Sequence, residues 1–348
     1  MRAAVLRRGR FVEDDVPEPV AGPGQVLAEP LATGICGSDL SAARHTDAFL
    51  RASRDSGTEA FLFDPDADLV MGHELCARVL SPGEWQGKVV VGLPWVLDGG
   101  GTLRTVGYAT AFPGGFGQRV VLQEAALIPV PDHVAPHVAA LTEPLAVGFG
   151  NVARAAPEPG SGAVVIGAGP IGLGAVAALV ERGVAPVVVS EPSPRRRALA
   201  ERFGAHVCVD PTANDPFDAW RAAAPADTPL TALECSGRAG MFNEILYRAP
   251  RRTRVLLIGA CMTEDVFTPV VGLYKDITVT MCMEYPPEEF GRTLERIADG
   301  TIDAAALVTG QVGLGGVSAA LDTLRQPDDH VKVLVRPGLP GTALHPAP

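Results

Sequence analysis

Residues 164–172 read Val-Val-Ile-Gly-Ala-Gly-Pro-Ile-Gly, a β-branched run, then G-x-G-x-x-G, then the start of a long apolar stretch. Few patterns restrict a fold so tightly. The run predicts a buried strand, and the stretch from Ile171 to Arg182, stopped by Gly183, predicts a helix. Gly167 permits the tight turn between them. Gly169 lets the backbone approach a ligand, and Gly172 lets helix and strand pack closely. Pro170 and Ile171 open the helix, whose N-terminus is a favourable seat for a pyrophosphate. Nineteen residues after Gly172 comes Glu191, close to the spacing of about 20 at which an acidic residue meets an adenosine ribose. Its charge opposes a 2′-phosphate, so the expected cofactor is NAD rather than NADP. The arginines at 195–197 pull the other way, and Arg196 is counted among the cofactor-binding candidates. The apolar part of the same uncharged run is 18 residues long, from Ala163 to Val180, the lower limit for a membrane span. Its four glycines and proline fit the strand–turn–helix reading instead.

The surrounding texture agrees. Strands are expected at Val164–Ile166, Val187–Ser190, His206–Val209, Thr231–Glu234, Val255–Ile258 and Ile277–Met281, with helices between them. That alternation predicts an α/β doubly wound parallel sheet of the Rossmann type. The first third is different, with short β-like runs at Val26–Ala28, Val89–Val91, Arg119–Leu122 and Leu127–Pro129 separated by Gly/Pro turns. It reads as an irregular, mainly β domain, followed by a helix over His137–Ala156. After Met281, Phe290, Leu294 and Ile297 mark one helix face, and Val331–Val335 a last strand. These pieces are too few for a domain of their own. The division expected is residues 1–146 with 285–348, and residues 147–284. The tail from Pro337 reads as loose.

Composition excludes several classes. A net charge of −11 offers nothing to phosphate backbones, so no nucleic-acid partner is expected. No signal peptide or membrane span is read, and six scattered cysteines without a C-x-x-C pair suit a reducing cytoplasm.

A second group of residues carries metal chemistry. Cys36 sits in a glycine-flanked turn, Gly-Ile-Cys-Gly-Ser-Asp at 34–39; His73 and Glu74 are adjacent; Glu143 precedes a proline. Cysteine, histidine and carboxylate are all zinc ligands, and three of them plus an open position is the catalytic zinc pattern. Taken singly, Cys36 reads equally as a small buried apolar residue, His73 as a core histidine and Glu143 as a capping carboxylate.

Together with the glycine turn these motifs resemble the zinc-containing medium-chain dehydrogenase/reductase family over nearly the whole chain. The resemblance rests on G-I-C-G-S-D at 34–39, G-H-E at 72–74, G-G-F-G at 114–117, E-P-L-A-V at 143–147, V-I-G-A-G-P-I-G-L at 165–173, E-C-S-G at 234–237 and the terminal strand with Lys332. It is closest to the polyol, butanediol and threonine dehydrogenase branch. It implies a GroES-like catalytic domain beside the Rossmann domain. One catalytic zinc would be held by Cys36 and His73, with Glu74 and Glu143 supplying the remaining carboxylate. Asp39 would orient His73, and Ser38 would hydrogen-bond the substrate oxygen. The implied reaction is hydride transfer between a secondary alcohol or polyol, or the matching ketone, and NAD. A homodimer or homotetramer is implied too, joined through the edge strand Ile277–Met281. An alternative on the same fold is an NAD(P)H-dependent reductase of an activated C=C bond, although such relatives often lack the ligands. A non-enzymatic nucleotide sensor would need no zinc site at all.

Three departures stand out. Residues 93–115, where the family often carries a four-cysteine zinc lobe, contain no cysteine, so no structural zinc is expected. The position of the family's relay histidine is Ser41, with His45 as a candidate substitute. The stretch between Cys36 and His73 is longer than is common. The excess, His45–Leu69, reads as an apolar flap at the substrate entrance, with about two helical turns at Thr46–Ser53, Phe49 and Leu50 as packing residues and Phe61-Leu62-Phe63 as apolar surface; a surface decoration or an oligomer contact is the alternative. Trp95, Tyr108, Phe116 and Tyr285 are candidates for lining the pocket.

Overall fold

The computed structural model describes residues 1–283, 285–324 and 330–347. Two compact units are present: Met1–Glu143 with Phe290–Pro348, and Pro144–Glu289.

The second unit is built on a six-stranded parallel sheet. Its order is Val207–Val209, Val187–Ser190, Gly162–Ile166, Leu230–Glu234, Arg254–Leu257, Thr278–Met281. Each lies within two residues of its expected position. The three central strands are buried at every residue, which is why they read as unbroken apolar runs rather than alternating ones. Val164, Ile166, Val188, Ala232 and Val255 form a core with Phe217, Trp220 and Ile245. Chain order reverses on either side of Gly162–Ile166, so a crevice opens at the carboxyl end of that strand, the usual seat of a ligand in such sheets.

The expected helix over 137–156 is two helices, Pro136–Ala139 and Thr142–Ala155. The cause is Pro144. It has no N–H to return to the Ala140 carbonyl, so a continuous helix loses a bond there and a new one starts instead. The new start puts Glu143 in a first turn.

In the first unit, Gln25–Gly34 is the central strand of a seven-stranded sheet ordered Leu127–Pro129, Val89–Gly92, Glu74–Val79, Gln25–Gly34, Lys332–Val335, Val308–Val312, with Val120–Gln123 also pairing on Gln25–Gly34. The hairpin Arg2–Arg7 with Arg10–Asp15, absent from the sequence reading, forms a second sheet with Leu69–Val70. Phe290, Leu294 and Ile297 are buried on one face of Glu288–Ala298, as their spacing predicted. The tail is not loose at His345, which exchanges two backbone hydrogen bonds with Gln311, and Leu344 packs on the core.

The segment 45–69 has the helical turns expected near its start and packs on the core of the first unit. It forms a helix, Thr46–Asp55, and a short 3-10 turn, Glu59–Phe61. Leu50 and Phe63 are buried, and Phe49, Phe61 and Leu62 pack against the same core. Arg104 ties the turn to the hairpin Trp95–Leu97/Leu103–Thr105 through the Glu59 carbonyl and carboxylate. The apolar residues that suggested a flap find an aromatic partner on that hairpin's continuation, Tyr108, far away in sequence. Among the described residues, no helix is long and apolar enough to cross a membrane.

Candidate functional site

Strand register in the first unit brings the metal candidates together. Gln25–Gly34 runs antiparallel to Glu74–Val79, with Gly34 opposite Glu74. It also runs antiparallel to Lys332–Val335, with Gly34 opposite Leu334. Cys36 lies two residues beyond Gly34, His73 one before Glu74, and Lys332 two before Leu334. All three therefore emerge at one end of the sheet. Donor atoms of Cys36, His73 and Glu74 lie within 4.8 Å of one another.

Glu74 reaches across the strand above Gly34, where a Cβ would collide with its Oε2. That route ends at Lys332, whose Nζ donates to both Glu74 oxygens at 2.8 and 2.6 Å and to the Ile35 carbonyl at 2.9 Å. All three ammonium protons are thereby engaged. Lys332 is buried; burial alone would lower its pKa, but Glu74 and Cys36 hold it above the usual value. The sequence reading used Lys332 only as the mark of a terminal strand. The signal was there, since it is one of three lysines in the chain and interrupts Val-Lys-Val-Leu-Val.

Cys36 precedes the helix Gly37–Arg44, and its N–H donates to Asp39 Oδ2 at 2.9 Å. Burial, with Glu74 beside it, raises the Cys36 thiol. Asp39 is fully buried, and its Oδ1 lies 3.6 Å from His73 Nδ1. That nitrogen is buried with no hydrogen-bond partner among the described residues. Burial opposes charge on His73, but Asp39 and Cys36 outweigh it and hold the imidazole well above its ordinary pKa. Glu143 is buried too, and desolvation, helped by the Glu74 charge, pushes it up to about 7. A half-buried thiol, a buried imidazole and a buried carboxylate with donor atoms within 4.8 Å of one another are soft and borderline donors of the kind that suit zinc.

Ser38 stands in the first turn of the same helix, and its Oγ is 2.8 Å from Tyr108 Oη; the phenol also lies 3.0 Å from Asp39 Oδ1. Burial and the charges of Asp39 and Cys36 keep the phenol protonated. His45, the candidate relay residue, is exposed at the junction of two helices. Of the pocket candidates, Tyr108 is the one hydrogen-bonded to Ser38. Phe116 is instead a core residue, packed edge-on against Phe11. The G-G-F-G motif braces the histidine segment, with Gly115 N–H on the Gly72 carbonyl and Phe116 N–H on that of Met71, at 2.7 and 2.9 Å.

The second unit carries the dinucleotide candidates. Gly167 has φ +95°, a conformation other residues rarely adopt, and a Cβ on Gly172 would strike the Gly167 carbonyl. A Cβ on Gly169 would meet nothing within 4 Å, so this face of the backbone is open to a ligand. Pro170 and Ile171 begin the helix Pro170–Glu181 behind it. Glu191 is buried, accepting from Ala168 N–H at 2.8 Å and Ser193 N–H at 3.0 Å. It therefore braces the glycine turn, and each oxygen keeps a lone pair for a further donor. Arg196 donates its backbone N–H to the Ser193 hydroxyl, while Arg197 is committed to the carbonyls of Glu191 and Pro192 and to Asp210. Glu234 of the E-C-S-G motif takes the N–H groups of Ser236 and Gly237, shaping the loop beside Gly167.

Comparison with known proteins gives two domain matches. Residues 22–132 match the alcohol dehydrogenase GroES-like domain and residues 170–299 the zinc-binding dehydrogenase domain. The chain is 30% identical to a protein of Saccharomyces cerevisiae described as a probable diacetyl reductase ((R)-acetoin forming), over 91% of this chain and 85% of that one. It is 29% identical to L-galactonate-5-dehydrogenase of Escherichia coli, over 84% and 85%. The crystal structure of 2R,3R-butanediol dehydrogenase from Bacillus subtilis superposes with a TM-score of 0.80 at 25% identity, covering 97% of this chain and 99% of that one.

Proposed function

The chain belongs to the zinc-dependent medium-chain dehydrogenase/reductase family, and on that premise we propose that it moves hydride between a secondary alcohol or polyol and its ketone, with NAD as partner. The observation that carries this reading is the meeting of Cys36, His73 and Glu74 donor atoms within 4.8 Å in the first unit. A C=C reductase or a nucleotide sensor makes no use of such an assembly.

Cys36, His73 and Glu74 would hold one zinc ion, with Glu143 as the exchanging fourth group. When bound, zinc supplies Lewis-acid polarisation of the substrate oxygen, and the nicotinamide supplies the hydride acceptor. Asp39 holds the His73 ring from behind, the usual partner of a ligating histidine. Lys332 holds Glu74 in place through both carboxylate oxygens. Ser38 would hydrogen-bond the substrate oxygen. In the other unit, the open backbone at Gly169 and the helix start at Pro170 and Ile171 would take the pyrophosphate, and Glu191 the ribose. The Glu191 charge, with Arg197 spent on carbonyls, supports NAD over NADP.

We place the protein in the cytoplasm, on its six free thiols. We also assign it a homodimer or homotetramer. The last strand in the sheet order, Thr278–Met281, has Met281 76% exposed, and Leu273 and Tyr274 of the neighbouring helix are 75% and 71% exposed. An apolar sheet edge of this kind invites a second copy of the chain.

The test combines metal analysis with NADH absorbance over a panel of secondary alcohols, diols and ketones. One zinc per chain, lost in Cys36→Ala together with activity, is the expected result. A Cys36→Ala protein that keeps its metal and full activity overturns the assignment.

A further inference from the structure

Tyr108 is hydrogen-bonded to Ser38 and Asp39 at once, and the donor inventory decides which way each proton points. An ionised carboxylate only accepts, a phenol has one proton, and a serine hydroxyl has one proton and two lone pairs. Asp39 is fully buried, and its Oδ2 already holds the Cys36 N–H. Its Oδ1, 3.0 Å from Tyr108 Oη, is the stronger acceptor, because a carboxylate oxygen accepts more strongly than a hydroxyl. The phenol proton therefore goes to Asp39. The remaining contact, 2.8 Å from Tyr108 Oη to Ser38 Oγ, must then be bridged by the serine's own proton.

The ring has little room to choose otherwise. It stacks on Phe49 with centroids 5.5 Å apart and planes at 15°, meets Phe61 edge-on at 5.5 Å, and lies 5.3 Å from the His73 ring. Phe49 and Phe61 both belong to the extra segment between the ligand motifs, so that segment acts on Ser38 through Tyr108.

We propose that Tyr108 is a positioning residue that locks the Ser38 hydroxyl as a hydrogen-bond acceptor toward substrate, so that the site favours the alcohol over the ketone. With its proton committed to Tyr108, Ser38 shows only lone pairs to a substrate oxygen. An alcohol brings a proton to that oxygen and is bound; a ketone brings none and gains nothing from Ser38. The inference rests on Ser38 meeting the substrate oxygen, as proposed above.

Tyr108→Phe keeps the ring and removes the hydroxyl, which frees the Ser38 proton to turn outward. Zinc-loaded wild type, Tyr108→Phe, Ser38→Ala and the double variant are compared by two dissociation constants. One is for trifluoroethanol, a hydroxyl donor, on the NAD complex. The other is for dimethyl sulfoxide, an acceptor only, on the NADH complex. Zinc content is measured alongside. Tyr108→Phe is expected to weaken trifluoroethanol about three- to tenfold, the worth of one hydrogen bond, to leave sulfoxide binding equal or tighter, and to keep its zinc. In the Ser38→Ala background the same change is expected to do nothing. Phe49→Leu, which loosens the ring but leaves the hydroxyl, is expected to move the ratio in the same direction by less. If both probes shift equally, if neither shifts, or if the effect persists without Ser38, the proposal is wrong while the dehydrogenase reading stands. A wild-type protein that holds no zinc overturns both.

Discussion

Lys332 Nζ lies 2.6 Å from Glu74 Oε2 in a pair whose side chains are 4% and 1% exposed. The two residues are 258 positions apart, and the first unit is closed around their contact. Removing one partner of a buried pair strands the other charge. For Lys332→Met we expect the chelated protein to lose about 3–5 kcal/mol of stability in urea unfolding. Lys332→Met combined with Glu74→Gln should regain part of it. A single variant within about 1 kcal/mol of wild type would show that the pair is not a structural keystone.

Glu143 has a distinct pH signature. Its folded-state value, about 7, lies above its ordinary value of 4.5. Between these the folded chain holds a proton that the unfolded chain has lost, so stability from this group is complete below about 4.5 and is lost as pH rises through 7. His73, also raised, has the same sign, so the readout must be a difference. The melting temperature of chelated Glu143→Gln minus that of chelated wild type should grow between pH 5 and pH 8. A difference that stays flat would mean Glu143 is not desolvated in the metal-free protein.

Cofactor choice follows from Glu191. Wild type should show a higher kcat/KM with NAD than with NADP. Glu191→Gln keeps one accepting oxygen for Ala168 or Ser193 and removes the charge. It should lower kcat/KM for NAD by about tenfold, the scale of one charge-assisted hydrogen bond, and narrow the gap to NADP. A wild-type preference for NADP would place the decision with the arginines at 195–197.

Association is tested at the exposed edge. Leu273→Asp with Met281→Asp puts charge on two side chains that are each about three-quarters exposed. Light scattering at micromolar concentration should give an oligomer for wild type and a monomer for the double variant. A monomeric wild type would rule out the edge as an interface.

The sequence alone determined the strand–turn–helix at 164–182, because a G-x-G-x-x-G turn between a β-branched run and an apolar helix is a local pattern whose physics is complete within about twenty residues. The parallel sheet followed for the same reason, each strand being a short apolar run with its own turn signals. It also supplied the ligand types, Cys36, His73, Glu74 and Glu143, as residues of the right chemistry. What tertiary structure decided was which of them meet and what holds them. Register places Gly34 opposite both Glu74 and Leu334, and that register brings Lys332 from the far end of the chain onto Glu74. No local pattern encodes a contact between positions 74 and 332. Tyr108 is the same case: in sequence it is one aromatic residue among several, and only packing against Phe49 and Phe61 aims its hydroxyl at Ser38 and Asp39. The helical turns and packing residues of the extra segment, Phe49 and Leu50, were legible in their spacing, but the surface that receives them, Tyr108, was not, because it lies far away in sequence. Short-range backbone preferences are written in neighbouring residues, whereas a buried polar network is the sum of contacts that exist once the strands have paired.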